Sequence, residues 1–244
     1  MGAATGIAWT DSTWNPWRGC TKVSPGCAHC YMFREQTRYG RDPTVVTRAA
    51  PATFEAPLRW KGPRRVFTCS WSDWFHEDAD PWREEAWDII RRTPDLTYQI
   101  LTKRPENISD RLPDGWGRGW PNVWLGVSGE TWELARERGR RLLPVRARVK
   151  FLSAEPWLDV PAPDPHLAAG SWVGVFDWVI LGGESGPSAR PMTEESARSV
   201  RDASRYASAA FYLKQLGGWP DSRSHEKAIL DGRTWTEMPE VPSI

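Results

Sequence analysis

The sequence predicts an α/β protein built on parallel strands, because short apolar runs alternate along the chain with stretches of helical character. A second observation sharpens this into a βα barrel. The residues that close the apolar runs are polar in turn: Cys20, Ser72–Asp73, Lys103–Arg104, Ser128 and Glu130, Glu155, Glu184–Ser185 and Lys214–Gln215. In a βα barrel the strand exits share one face, and active sites are assembled there from several loops. Any single polar exit could equally be an ordinary loop residue. The succession of them is what points to a shared face.

In chain order, the predicted strands are Ser12–Arg18, Arg65–Ser70, Thr97–Thr102, Asn122–Val127, Val149–Ser153, Asp177–Leu181 and Ala210–Lys214. That is one short of a closed eight-stranded barrel. The predicted helices are Tyr31–Tyr39, Trp82–Arg92, Pro105–Arg111, Thr131–Leu143 and Glu194–Ala207, with Thr193 as the cap of the last. The stretch Arg41–Pro63 has no period and is expected to be a long loop, a candidate lid. Leu158–Trp172, with Pro161, Pro163 and Pro165, reads as a second irregular connection. Residues 1–218 are expected to form one domain, followed by a tail over residues 219–244 that packs on the surface or frays.

A chain of 244 residues suits one large domain with a sizeable core. The net charge of +1 announces no nucleic acid, membrane surface or acidic substrate, so any such contact has to come from a local patch. No apolar run approaches a spanning helix and the N-terminus has no leader pattern, so the expected compartment is the cytoplasm, with no membrane contact. Seventeen tryptophans stand out; Trp14, Trp17, Trp71, Trp74, Trp124, Trp157 and Trp178 fall in or beside strands, which favours core packing over a base-stacking platform.

The segment Gly19–Tyr31 reads GCTKVSPGCAHCY and carries three of the four cysteines within eleven positions. In a reducing compartment such crowding means metal ligands or reactive thiols before disulfides. Three thiolates on a loop can wrap an iron–sulfur cluster and leave one iron open, the arrangement of a catalytic centre. Zinc on Cys20, Cys27 and Cys30 with His29 or a distant fourth ligand is the alternative, weakened because no second Cys-x2-Cys or His-x3-His follows. Unligated thiols complete the choices, and spacing alone leaves all three open.

The motifs together resemble the radical S-adenosylmethionine superfamily, and within it a phage and bacterial family of unassigned role distantly similar to spore photoproduct lyase. The likeness is carried by WNPWRGC (Trp14–Cys20), CAHCY (Cys27–Tyr31), SWSDWFHE (Ser70–Glu77), LTKRP (Leu101–Pro105), NVWLGVS (Asn122–Ser128), LSAEP (Leu152–Pro156), GGESG (Gly182–Gly186), RPM (Arg190–Met192) and KQLGG (Lys214–Gly218). One departure is visible. The superfamily spaces its cysteines C-x3-C-x2-C, whereas six residues separate Cys20 from Cys27 here.

The resemblance implies a partial (β/α)6-type barrel with the cluster loop after its first strand. It also implies a [4Fe–4S] cluster on Cys20, Cys27 and Cys30, and S-adenosyl-L-methionine cleaved to a 5′-deoxyadenosyl radical with electrons from a flavodoxin or ferredoxin. His29 would pack on the adenine, Ser72 and Asp73 would meet the methionyl ammonium, Lys103 the carboxylate, and Ser128 and Glu130 the ribose hydroxyls. Glu155 and Glu184 would meet a substrate, with Arg190 near a phosphate, and Cys69 would be a hydrogen-atom donor or simply core. The expected substrate is a nucleobase in DNA or RNA repair or modification, in host cytoplasm if the protein is phage-encoded. The run Arg136–Lys150, seven basic residues against Glu137, is a candidate phosphate-tracking stripe or a solvated helix face. The rival function is a zinc-stabilised nucleic-acid-binding module without catalysis.

Overall fold

A computed structural model of the chain describes residues 5–162, 164–220 and 228–241. It divides into two compact units. The first comprises Met1–Leu125 with Val145–Arg148, the second Gly126–Pro144 with Val149–Ile244.

The first unit opens with β1 (Ser12–Trp14) and β2 (Trp17–Arg18), then α1 (Tyr31–Arg38), β3 (Thr47–Arg48), α2 (Pro51–Phe54), β4 (Arg64–Thr68), α3 (Asp80–Arg92) and β5 (Leu96–Thr102). The predicted first strand is broken at Asn15–Pro16, because proline cannot donate to a ladder. Beyond the break Trp17 and Arg18 turn away to pair antiparallel with Arg48 and Thr47. β1 pairs parallel with β4, and β4 with β5. The stretch expected to be a free loop or lid is therefore packed structure: besides β3 and α2 it holds a 3-10 turn, Ala56–Arg59, and the Trp14 indole donates to Phe54 O at 3.0 Å. A two-residue strand and a four-residue helix are too short to show a period. The helix expected at Pro105–Arg111 is instead two 3-10 turns, Pro105–Asn107 and Ser109–Arg111. The chain leaves them extended at Leu112, as a residue before proline must.

The strand β6 (Val123–Ser128) crosses the division. The second unit continues with α4 (Trp132–Leu142), β7 (Val149–Ala154), α5 (Pro165–Ala169), β8 (Trp178–Gly182), α6 (Glu194–Tyr206) and β9 (Ala210–Gln215). β7 pairs parallel with β8, and β8 with β9. Every residue of β6 and β8 is buried, as in strands covered on both faces. The seven-stranded sheet runs in the order β1-β4-β5-β6-β7-β8-β9, so the protein is mixed α/β with a parallel sheet in sequence order. Two helices start where side-chain caps are available: Thr131 Oγ1 accepts from Leu134 N at 3.2 Å, and Thr193 Oγ1 from Ser196 N at 3.1 Å. The irregular connection holds α5, capped by Asp164; Pro163 lies outside the described residues.

Residues 228–241 do not fray. Leu213 N donates to Trp235 O at 2.8 Å and Glu237 N to Phe211 O at 3.1 Å, so this segment lies antiparallel along β9 and buries Leu230 and Trp235. It covers what would be an open sheet edge. Residues 221–227 of the expected tail lie outside the described residues. Among the described residues no helix is long and apolar enough to cross a membrane. Of the seven tryptophans expected in the core, all but the half-buried Trp71 are buried.

Candidate functional site

In the first unit the cysteine loop is attached to strand ends through its entry residues. Gly19 has φ +96°, and a Cβ there would lie 2.2 Å from Val45 O, so only glycine fits. Its N–H donates to Trp71 O at 3.0 Å, and its carbonyl accepts from Ser72 Oγ at 2.6 Å. Ser72 is thus committed to the loop's backbone. Asn15, buried where β1 stops, accepts from Trp71 N at 2.9 Å and bonds Ser70 Oγ at 3.0 Å, which fixes the same corner from the other side.

The hub of the corner is Asp73, 4% exposed. Its carboxylate accepts from Thr102 Oγ1 at 2.6 Å, Lys103 N at 2.8 Å, Phe75 N at 2.9 Å and Arg104 Nη1 at 3.4 Å, which fills the acceptor sites of a carboxylate. Arg104, equally buried, carries the connection outward: Nη1 lies 3.6 Å from Cys20 Sγ, and Nη2 donates to Thr21 O at 3.0 Å and Thr21 Oγ1 at 2.6 Å. Thr21 Oγ1 in turn lies 3.2 Å from Nε2 of the buried His76. Burial and then the Arg104 charge hold the His76 imidazole below its ordinary pKa, so the ring is neutral. Arg104, Thr21 and His76 were not among the residues expected in the site. Arg104 was visible as a strand-exit residue in LTKRP, but nothing in a sequence shows that its fork turns back onto a loop 83 residues away.

The thiols differ in environment. Burial first, then the Asp73 charge, push Cys20 up to about 12, against the pull of Arg104. For Cys27 burial also acts upward, but the Lys103 charge and hydrogen bonds from Val23 and Ser24 outweigh it and leave the thiol below its ordinary value. Cys30 is half-buried at the start of α1 and His29 is exposed. Cys69 is set apart. It is buried with φ +54°, and burial, then Asp73, raise its thiol well above the usual value, so it stays protonated.

Among the described residues no group of three His, Cys, Asp or Glu side chains is arranged to hold a metal ion. In kind the donors are those of a thiolate cluster, three free thiols on one loop; Lys103 favours the thiolate at Cys27, whereas at Cys20 burial and Asp73 outweigh the pull of Arg104. To ligate one centre, the loop would have to draw its three sulfurs together.

The candidate acids of the second unit are each paired. Glu130 has no exposed side-chain surface, and Arg138 Nη1 bonds its Oε2 at 3.0 Å and Ser128 O at 2.8 Å. Glu155 accepts from Lys214 Nζ at 2.7 Å and from Ser153 Oγ at 3.4 Å. It lies over Gly182, where a Cβ would come 2.4 Å from Glu155 Oε1. Buried Glu184 takes Arg190 in a two-pronged bond, Nη2 to Oε1 at 2.6 Å and Nε to Oε2 at 3.0 Å, and this bond raises the arginine's pKa. The structure therefore brings together, in the first unit, Cys20, Ser72, Asp73 and the Lys103 backbone. In the second it gathers Ser128 with Glu130 and gives Glu155 and Glu184 each a basic partner.

No curated protein and no solved structure matches the chain. A family model described as "Protein of unknown function (DUF5131)" matches residues 4–239, and the chain belongs to that family.

Proposed function

We propose that this protein is a radical S-adenosylmethionine enzyme that binds a [4Fe–4S] cluster through Cys20, Cys27 and Cys30 on a partial (β/α)6 barrel and acts on a nucleobase in DNA or RNA repair or modification. The observation that carries the proposal is three free thiols on one loop, two of which, Cys27 and Cys20, meet cations from the exit of one strand, Lys103 and Arg104. When bound, the cluster supplies an electron that splits the sulfonium of S-adenosylmethionine into methionine and a 5′-deoxyadenosyl radical. Lys103 offsets negative charge at Cys27 and is the candidate partner of a carboxylate. Arg104 holds the loop entrance against Asp73, which acts through position, since its acceptor sites are filled. Ser72 fixes the Gly19 carbonyl. In the second unit, Ser128 and Glu130 are proposed for ribose hydroxyls, which requires Glu130 to share its bond with Arg138. Glu155 and Glu184 are proposed for a base.

The test is anaerobic reconstitution with iron and sulfide, followed by the visible spectrum, iron content and product analysis with a flavodoxin or a chemical reductant. The expected result is a brown protein that forms methionine and 5′-deoxyadenosine, with cluster binding abolished in Cys20→Ala, Cys27→Ala and Cys30→Ala but kept in Cys69→Ala. A colourless protein holding zinc, or iron retained in any of the first three variants, overturns the proposal.

A further inference from the structure

The first unit contains a cavity of 380 Å³ beside Gly19, lined among others by Arg18 of β2, Gln36 of α1, Arg41, Asp42, Val45 and Thr47 of β3. None of these residues belongs to the cysteine chemistry. Gln36 is 1% exposed, and its amide Nε2 is buried without a hydrogen-bond partner. A buried donor left unmade is costly, so the position calls for an acceptor that the protein itself does not bring.

The surrounding charge points the same way. Arg18 is half-buried and Arg41 lines the same cavity, so two guanidiniums face one space. Asp42 also lines the cavity, but its Oδ1 is taken by Thr44 N at 2.8 Å and Thr44 Oγ1 at 2.6 Å. The lining thus offers two guanidinium forks, an amide NH2 and a hydroxyl, which is a surplus of donors. A tetrahedral oxyanion accepts from several donors at once and matches arginine forks. The volume lies within the range of small-molecule pockets, larger than a bare phosphate fills, and Val45 supplies apolar wall for an organic remainder.

We propose that this cavity binds a phosphate monoester, held by Arg18, Arg41 and the Gln36 amide, the ester being a mononucleotide or the 5′-terminal phosphate of a nucleic-acid strand. The site is independent of iron, so it is tested on the full chain without metal. Calorimetric titrations use inorganic phosphate, adenosine monophosphate, and a short deoxyoligonucleotide with and without its 5′-phosphate. Saturable binding of phosphate and of the phosphorylated ligands is expected, with affinity reduced about tenfold or more in Arg18→Gln and in Arg41→Gln. Tighter binding of the phosphorylated strand than of the mononucleotide assigns the strand end as ligand; equal or weaker binding assigns the free nucleotide. Arg41 is exposed, so its variant keeps the test intact should Arg18→Gln fail to fold. Absence of saturable binding by all the phosphorylated probes, or affinity unchanged in Arg41→Gln, overturns the proposal.

Discussion

Arg138→Met removes the cation from the most deeply buried ion pair among the described residues of the second unit, where the Glu130 side chain has no exposed surface and Arg138 only 6%. At the observed 3.0 Å, and with an effective dielectric of about 20, the attraction is about 5–6 kcal/mol before desolvation is charged against it. Removing one partner of such a pair costs about 3–5 kcal/mol, because the other charge stays buried. Arg190 feels the Glu130 charge and remains as a partial counter-charge, so the lower end, about 3 kcal/mol, is expected. For a chain of this length that corresponds to a thermal midpoint about 6–12 °C lower. Urea and thermal unfolding followed by tryptophan emission measure it. The double variant Glu130→Gln/Arg138→Met removes the stranded charge and should recover at least half of the loss. A single variant that loses less than about 1 kcal/mol, or a double variant no more stable than the single, would refute the reasoning.

Gly19→Ala should destabilise the first unit by at least about 2 kcal/mol and expose the cysteine loop to protease, since the φ is +96° and the Cβ meets Val45 O. Gly40→Ala, with φ +67° but nothing within 4 Å, should cost only the conformational strain, about 1 kcal/mol; equal losses in the two variants would contradict the steric argument. His76 is held neutral in the folded state, so the unfolded chain binds the extra proton first as pH falls below about 6.5. Stability should be full above that pH and decline towards pH 5, and His76→Gln should flatten the decline; an unchanged acid limb would assign it to other groups. If α4 tracks phosphates, Arg140→Gln/Arg141→Gln should weaken DNA binding and lower the salt slope by about 2, while leaving any cofactor cleavage intact; a salt slope equal to that of the parent protein would dismiss the helix as a nucleic-acid surface.

The strands were the legible part of the fold, for a physical reason. The strand Trp178–Gly182 is buried on both faces and so stands out as an unbroken apolar run, and Val149–Ala154 is interrupted only at Lys150 and Ser153. The packed segment from Thr47 to Arg59 was illegible because its elements are shorter than any period. For residues 228–241 the sequence left packing and fraying open, because their hold on β9 is made by backbone bonds and a few indole and leucine side chains, which leave no pattern. In the candidate site the cysteine loop, Asp73 and Lys103 could be named from sequence, but not the commitments of their atoms. Asp73 as a carboxylate at a strand exit looks available; only the fold shows Thr102, Phe75, Lys103 and Arg104 occupying it. The cavity at Gln36 left no trace, because its lining comes from α1, β2, β3 and the turn between α1 and β3.

The indoles of the first unit form a relay. Trp17 and Trp14 stand 5.0 and 5.8 Å from Trp74, Trp74 stands 5.0 Å from Trp87, and Trp87 reaches Trp116 and Trp120 at 5.9 and 5.7 Å. Rings at such separations pass electronic excitation among themselves faster than they emit it, so a photon absorbed by any of the six belongs to all. Trp17, at one end of this relay, stands three positions before Cys20 in the chain, with its N–H on the Asp73 carbonyl. A light-absorbing guest on the loop would therefore drain the whole set. Intrinsic ultraviolet emission of the unlabelled protein is therefore a built-in optical gauge of what the loop holds, readable in real time and at concentrations far below those that a colour change requires.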